Sequence, residues 1–289
     1  MTARRLEGRP VARALIARAR EELESLRAEF FSTPRLAIFF AGDDASAAAY
    51  RDSIERVATT VGLAVDIVDL PEDVDEARAL RTIDELNAQP QVNGVIVLQP
   101  LPRQLSRVAI ADRLDPLKDI DGITTFNAGR LFHDDRDVLA PSTPAGGMAL
   151  LKHYDVPLAG RHAVVVGRSP VVGKPMAMML MAEHATVTIC HSHTSDIGRY
   201  TRQADVLVAA AGRPGLIKAD MVRTGAVVLD FGVSFVGERM VGDIEAASVA
   251  EVAAALTPVP GGTGRVTPAI LIRNALKATR LQLREGVPA

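Results

Sequence analysis

A short apolar run that ends in a glycine-rich turn constrains this chain more than any other segment. Residues 163–175 read AVVVGRSPVVGKP, where the β-branched run breaks at Gly167 and Gly173 leads into a methionine-rich stretch of helical character. The order is strand, tight turn and helix, in which backbone N–H groups and the helix N-terminus can bind a phosphate. The spacing is looser than G-x-G-x-x-G, so an ordinary strand-to-helix turn is the alternative at this point.

The next apolar run indicates which nucleotide such a turn would bind. Residues 185–190 read ATVTIC and are followed by HSHT at 191–194. NAD-selective sites usually place Asp or Glu here, roughly 20 residues after the turn, to bind the ribose 2′-hydroxyl. This chain has no carboxylate there, and Arg168 and Ser192 could bind a 2′-phosphate instead. The pattern therefore favours NADP over NAD, although the two histidines could equally be surface residues.

Composition excludes several classes of protein. The chain has 289 residues, 48% of them hydrophobic and 24% charged, and a net charge of −2 without a basic block. We therefore expect one large or two modest domains and no nucleic-acid partner. No apolar run reaches about 18 residues, so no membrane span is expected. Cys190 is the single cysteine, which excludes an internal disulfide and a cysteine-cluster metal site; we expect a cytoplasmic protein with no metal.

Strand and helix patterns alternate along both halves of the chain, which predicts the α/β class with parallel sheets. We expect an N-terminal α/β lobe, a Rossmann-type lobe, and a cleft between them. Residues 115–143 are predicted to be loop-rich, and loops of that length are often functional. The predicted helices are 10–30, 46–61, 74–87, 106–114, 144–153, 246–256 and 268–283, and the predicted strands are 35–41, 63–70, 92–99, 163–166, 185–190, 206–210 and 226–230.

Four further segments carry residue types suited to chemistry. They are Ala49-Tyr50, the strand end at 98–102 (LQPLP), the segment 118–122 (KDIDG), and the proline–glycine loop 257–264 (TPVPGGTG). Glycines without a Cβ would let the last of these approach a flat ligand closely. Each segment alone has an ordinary explanation, such as a half-buried tyrosine, a proline that stops a strand, or a turn.

Taken together and in this order, the segments resemble the bifunctional methylenetetrahydrofolate dehydrogenase/methenyltetrahydrofolate cyclohydrolase family. The resemblance covers nearly everything from Leu6 to Leu276. Its motifs are GDDASAAAY (42–50), GVIVLQPLP (94–102), PLKDIDGITTFNAGRL (116–131), PSTP (141–144), the glycine turn (167–175), ATVTICHSHT (185–194), ADVLVAAAG (204–212), GAVVLDFGV (225–233) and PVPGGTG (258–264).

The resemblance implies a two-domain homodimer that binds a folate and NADP. It places the folate-binding catalytic domain at 1–143, completed by the last helix (268–289), and the NADP-binding Rossmann domain at 144–267. It implies that Tyr50 stacks near the pterin and aminobenzoate rings, and that Asp121 accepts both N–H groups of the pterin's amidine-like edge in fork geometry.

Other roles follow from the same resemblance. It implies that the strand end Val97, Leu98 and Gln99 borders the folate and that a loop closes over substrate and nicotinamide. The loop residues are Pro260, Gly261 and Gly262, and the implied NADP contacts are Gly167, Arg168, Ser169, Ser192 and Val233.

The chain departs from the family pattern at the catalytic positions. The family lysine four residues after the tyrosine is replaced by Ile54, and the glutamine that supports it is replaced by Leu98, with Gln99 one place later. A shift of one residue along a strand moves a side chain to the other face. Further differences are Ser142 for cysteine, Thr263 for valine, and Arg265 after the proline–glycine loop.

The departures lead to a hypothesis about activity. Hydride transfer needs alignment of the reactants, whereas hydrolysis of the methenyl cation needs a proton-handling group, whose loss typically costs about 10²–10⁴-fold. We therefore expect NADP-dependent oxidation of 5,10-methylenetetrahydrofolate with cyclohydrolase activity weak or absent. The alternatives are a non-catalytic or repurposed folate- or nucleotide-binding paralogue, a dehydrogenase for an altered pterin, and full bifunctionality rescued by Gln99 or Arg51.

Overall fold

The computed structural model of the chain consists of two compact units, each built on a parallel β-sheet. The three-stranded unit comprises Ala14–Ser142 and Pro268–Ala289, and the six-stranded unit comprises Met1–Arg13 and Thr143–Thr267. The structure describes residues 2–30, 33–135, 137–237, 239–284 and 286.

Strands and helices alternate in both units, as the sequence predicts for the α/β class. The strands are β1 (Arg4–Arg5), β2 (Arg35–Ala41), β3 (Ala64–Leu70), β4 (Val92–Val97), β5 (His162–Val166), β6 (Thr186–Cys190), β7 (Val206–Ala209), β8 (Val227–Asp230), β9 (Ser234–Val236), β10 (Arg239–Val241) and β11 (Ala255–Leu256). The helices are α1 (Gly8–Phe30), α2 (Ala45–Val61), α3 (Glu76–Ala88), α4 (Arg107–Arg113), α5 (Thr125–Phe132), α6 (Ser142–His153), α7 (Gly173–Ala182), α8 (Ile197–Thr201), α9 (Ala246–Val252) and α10 (Thr267–Arg284).

The three-stranded sheet, in the order β3-β2-β4, is covered by apolar side chains on both faces. Alternation along β4 sends Val95 and Val97 into one apolar cluster and Ile96 into the other. The second cluster continues with Leu98 just beyond the strand and with Ile54 of α2. A strand buried on both faces explains the continuous apolar run in its sequence.

The six-stranded sheet has the order β1-β11-β8-β7-β5-β6, and all of its pairings are parallel. Its two faces are buried by separate apolar clusters, one around Val164 and Val166 and the other around Val165 and Met176. The strand β5 lies between β6 and β7, so the ends of these three strands meet at one edge. That edge is where nucleotides bind in open α/β sheets.

The structure corrects several predicted elements. The predicted loop region 115–143 contains α5, whose start is fixed by the Thr124 hydroxyl, which accepts the Asn127 N–H at 3.2 Å. The predicted helix 246–256 ends at Val252, and the chain then forms β11. Residues 1–13, placed by the sequence in the folate-binding domain, belong to the six-stranded unit because β1 pairs with β11.

Two further differences concern strands. The strand predicted over 92–99 ends at Val97. An antiparallel hairpin of β9 and β10, which the sequence did not predict, follows β8. Within the described residues, no helix is both long and apolar enough to cross a membrane.

Lys118 closes the C-terminal end of α3. Its ammonium group donates to the carbonyl oxygens of Leu86, Asn87 and Gln89 at 3.0, 2.7 and 2.7 Å, and the residue is only 3% exposed. A cation there also interacts favourably with the helix dipole. The lysine of the 118–122 segment therefore has a structural role in the three-stranded unit.

Replacing Lys118 with methionine should destabilise this unit, because three carbonyl groups lose their donor while the buried volume is kept. We expect a loss of about 2–4 kcal/mol in the free energy of unfolding, measured by chemical denaturation. Arg81→Met, at an exposed position of α3, is the matched control and should change the value by less than about 0.5 kcal/mol. Equal stability of the two variants would contradict this role.

Candidate active site

Tyr50, Asp121 and Ser142 form a polar group in the three-stranded unit. Tyr50 lies on α2, Asp121 follows the segment that pairs with β4, and Ser142 is the first residue of α6. Ser142 donates to Oδ1 of Asp121 from its hydroxyl and also from its backbone N–H, the latter at 3.3 Å. The serine that replaces the family cysteine therefore holds the carboxylate in a defined orientation.

The surroundings perturb both acidic groups. Burial raises the pKa of Asp121 to about 6; the Ser142 hydrogen bonds lower it, and the charge of Asp119 raises it. Burial also raises the pKa of the Tyr50 phenol, the nearby Asp121 raises it further, and the Ser142 hydroxyl partly offsets these effects. Tyr50 is therefore a neutral phenol near a carboxylate whose charge changes close to neutral pH.

Asp119 organises the loop that carries Asp121. Its carboxylate is fully buried and accepts the backbone N–H groups of Ile123 and Thr124 at 3.0 and 2.9 Å, and the Asn127 amide at 3.0 Å. Burial is the main cause of its raised pKa, and these hydrogen bonds oppose it. This carboxylate is fully engaged within the loop, whereas Asp121 is only partly buried.

Ile54 and Leu98, which the resemblance places at the positions of the family lysine and glutamine, are part of the hydrophobic core. They are 0% and 2% exposed and belong to the same apolar cluster. Val97 belongs to the cluster on the opposite face of the sheet, and Gln99 is exposed. The structure therefore brings Ile54 and Leu98 together and separates Gln99 from them.

The proline–glycine loop lies in the six-stranded unit and is anchored at both ends to Asp230 of β8. Thr257 Oγ1 accepts the Asp230 N–H at 2.8 Å, and the Thr263 hydroxyl donates to the Asp230 carbonyl at 2.9 Å. Between these anchors, Pro260 is exposed, Gly261 is half-buried with a φ of +117°, and Gly262 is buried. The threonine that replaces the family valine thus has a defined hydrogen-bonding role.

The glycine turn after β5 borders a cavity of about 220 Å³ in the six-stranded unit. Gly167 has a φ of +132°, and a Cβ there would overlap the carbonyl of Ala210. A Cβ on Gly173 would overlap the backbone of Gly167. Ser169 Oγ accepts the N–H groups of Val172 and Gly173 at 3.1 and 3.3 Å, which closes the turn onto the start of α7.

The lining of this cavity suits an anionic nucleotide. It contains cationic and hydroxyl side chains and no carboxylate among the described residues. Val233, predicted to contact NADP, is exposed in the loop after β8 and does not border the cavity. The lining residues are Val166, Gly167, Arg168, Ser169, His191, Ser192, Ile197, Ala210, Ala211, Arg213 and Leu216.

Family models match both parts of the chain. Residues 6–121 match the catalytic domain of tetrahydrofolate dehydrogenase/cyclohydrolase, and residues 141–283 match its NAD(P)-binding domain. The chain belongs to this family. The resemblance inferred from the sequence motifs is thereby confirmed.

Full-length relatives share this membership. A bifunctional protein FolD from Chloroflexus aurantiacus is 46% identical over 98% of this chain and 99% of its own length. One from Thermomicrobium roseum is 48% identical, over 97% and 96% respectively. The crystal structure of the Trypanosoma brucei enzyme, complexed with NADP cofactor and an inhibitor, has a TM-score of 0.94 and 32% identity over 98% of this chain and 99% of that chain.

Sequence reasoning did not predict three features of these two regions. Ser142 was noted only as a departure, and its contact with Asp121 depends on the start of α6. Arg213 borders the cavity because it follows β7, the neighbour of β5. Asp243 accepts the backbone N–H groups of residues 211–213. The AAG sequence after a buried strand indicates the loop that carries Arg213.

Asp121 should make the stability of the protein depend on pH. A carboxyl group with a pKa near 6 when folded, against an ordinary value of 3.8, costs stability when it ionises, so wild-type stability falls as pH rises from 4 to 6. Asp121→Asn removes this loss. The variant's advantage in free energy of unfolding should therefore grow between pH 4 and pH 7, by up to about 3 kcal/mol.

Chemical denaturation at pH 4, 5.5 and 7 measures this effect. Asp43→Asn, at an exposed position just before α2, is the control and should differ from wild type by a constant amount. An Asp121→Asn difference that stayed flat across this range would show that burial does not raise the pKa of this carboxyl.

Proposed function

We propose that the protein oxidises 5,10-methylenetetrahydrofolate to 5,10-methenyltetrahydrofolate with NADP, and that its cyclohydrolase activity is weak or absent. Membership of the bifunctional family supports the folate reaction. The observation that carries the second part is the burial of Ile54 and Leu98 in one apolar cluster, at the positions where the family has its lysine and glutamine.

The dehydrogenase reaction makes modest demands on this chain's side chains. The lone pair of the folate nitrogen stabilises the cation that develops as hydride leaves, so the protein's main contribution is alignment. We assign Tyr50 to stacking against the folate rings and Asp121 to the N–H groups of the pterin edge. The Ser142 contacts to Asp121 support this assignment, because a carboxylate fixed in orientation can accept two parallel N–H bonds.

Hydrolysis of the methenyl cation requires a group that accepts and returns a proton, and isoleucine can do neither. Rescue by Gln99 is disfavoured, since Gln99 is exposed and lies away from the cluster that contains Ile54. Lys118 is also disfavoured as a replacement for the catalytic lysine, because its ammonium group already donates to three carbonyl oxygens at the end of α3.

We propose NADP as the cofactor, bound at the glycine turn in the 144–267 domain. When bound, it accepts hydride at its nicotinamide ring. The positive φ of Gly167 and the lack of room for a Cβ at Gly167 and Gly173 support a turn shaped for close approach of phosphates. Arg168 and Ser192 border the cavity and are assigned to the 2′-phosphate. Gly167 and Ser169 are assigned to the phosphate turn and Val233 to a contact outside the cavity.

We further propose a cytoplasmic homodimer in which residues 14–143 and 268–289 bind the folate. The Val97–Gln99 strand end is assigned to the proposed folate contacts. Exposed apolar side chains on the β9–β10 hairpin support association: Phe235 is 59% exposed and Val236 is 61% exposed. Phe235→Asp should give a monomer by size-exclusion chromatography with light scattering, and an unchanged dimer would exclude this hairpin as the interface.

A side-by-side assay of both reactions tests the proposed activity. We expect NADPH formation from methylenetetrahydrofolate, and hydrolysis of methenyltetrahydrofolate about 10²–10⁴-fold slower than in a bifunctional relative assayed alongside. Ile54→Lys combined with Leu98→Gln should raise hydrolysis by at least about tenfold, because it restores a titratable amine and its supporting amide.

The matched control is Ile54→Met combined with Leu98→Met, which perturbs the same cluster without adding a titratable group. It should leave hydrolysis at the wild-type level. Wild-type hydrolysis at the relative's rate would refute the loss of cyclohydrolase activity. Binding of folate and NADP without NADPH formation would refute the dehydrogenase assignment and favour a binding paralogue.

A further inference from the structure

Arg213 lies at the end of β7 and borders the nucleotide cavity from the side opposite β6. Its side chain is exposed and forms no ion pair within the part of the chain that the structure describes. The cavity contains a second arginine, Arg168, in the turn after β5. An arginine without an internal partner at the edge of a nucleotide cavity has its guanidinium free to contact a ligand.

The backbone N–H groups of the loop that carries Arg213 are all occupied. The buried carboxylate of Asp243 accepts the N–H groups of Ala211, Gly212 and Arg213 at 2.6, 2.9 and 2.7 Å. These N–H groups are therefore not available to donate to a ligand, and the donors that the loop offers are those of its side chains. Three hydrogen bonds to one carboxylate also fix the direction in which the chain leaves β7.

Strand spacing indicates which part of a dinucleotide lies beside Arg213. Neighbouring strands are about 4.8 Å apart, so the end of β7 lies about 10 Å from the end of β6, where Ser192 would meet the ribose and its 2′-phosphate. Arg213 therefore lies on the opposite side of the cavity from a phosphate bound at Ser192, on the side where the purine attached to that ribose would lie. Ile197 and Leu216 supply apolar surface in the same cavity.

We propose that Arg213 binds the face of the adenine ring, and that Asp243 is the positioning residue that aims it there. A guanidinium stacks on aromatic rings through its planar, weakly hydrated cation. The proposal rests on the dinucleotide cofactor assigned above. The two arginines then have different roles. Arg168 distinguishes NADP from NAD, and Arg213 strengthens the binding of both dinucleotides.

The test measures dissociation constants of NADPH and NADH by fluorescence titration of the full-length protein. Arg213→Ala should weaken both by a similar factor of about 3–30. Arg168→Ala should weaken NADPH alone. Arg199→Ala, at an exposed position on α8 that does not border the cavity, is the matched control and should change neither.

Asp243→Asn tests the positioning role, since asparagine offers one acceptor oxygen where three N–H groups converge. Its loss of affinity should match that of Arg213→Ala, and the double variant should be no weaker than the weaker single variant. If Asp243→Asn does not fold, Gly212→Ala replaces it. Gly212 has a φ of +63° with open space at its Cβ, so alanine strains the loop without a clash.

The outcomes separate this inference from the proposed function. Wild-type affinity in Arg213→Ala would overturn it, and so would a loss confined to NADPH, which would place Arg213 on the 2′-phosphate. Additive losses in the double variant would overturn the role of Asp243. A wild-type protein that binds neither dinucleotide would overturn the cofactor assignment itself.

Discussion

The buried carboxylate of Asp119 provides the hydrogen bonds on which the polar group Tyr50, Asp121 and Ser142 of the three-stranded unit depends. Within residues 115–124, Ile120 is buried in one apolar cluster and Ile123 packs against the other, but the backbone N–H groups of this loop still need hydrogen-bond acceptors. The Asp119 carboxylate accepts two of these N–H groups and the Asn127 amide, which ties the loop to the start of α5, and the backbone at Asp119 pairs with Val95 of β4. Because Asp121 lies two residues further along this loop, the same hydrogen bonds fix its position. A carboxylate suits the task because it accepts several N–H groups at once.

In the six-stranded unit, a buried carboxylate at the end of β8 likewise accepts several backbone N–H groups. Asp230 ends β8 and accepts the N–H groups of Gly232, Asp243 and Ile244 at 2.8, 3.0 and 3.1 Å. Asp243 in turn accepts those of residues 211–213. Burial raises the pKa of Asp230 to about 6, and the charge of Asp243 contributes to that rise. The loop at residues 211–213, which borders the cavity at the glycine turn, and the proline–glycine segment are therefore connected through hydrogen bonds to Asp230 and Asp243.

The sequence predicts strands and helices in which apolar residues recur at a regular spacing. It does not predict the hydrogen bonds that the buried carboxylates of Asp119, Asp230 and Asp243 accept. The bounds of β2 match the apolar run 35–41, and the glycine turn is visible in the spacing of Gly167 and Gly173. The helix α5 was not predicted because its start depends on hydrogen bonds of Thr124 and Asp119 rather than on a periodic pattern of apolar residues. Contacts such as Ser142 with Asp121 join residues distant in the chain, so a local pattern cannot reveal them.

The substitutions at Ile54 and Leu98 are physically coupled. A lysine at position 54 would have given a glutamine at position 98 a polar partner, but isoleucine gives it none. A glutamine left at position 98, which is 2% exposed, would then be buried without a hydrogen bond, at a cost of about 1–3 kcal/mol. With leucine at 98 and glutamine at 99, the apolar side chain fills the cluster and the amide reaches solvent. Leucine at position 98 is therefore the residue that suits a cluster in which position 54 is isoleucine.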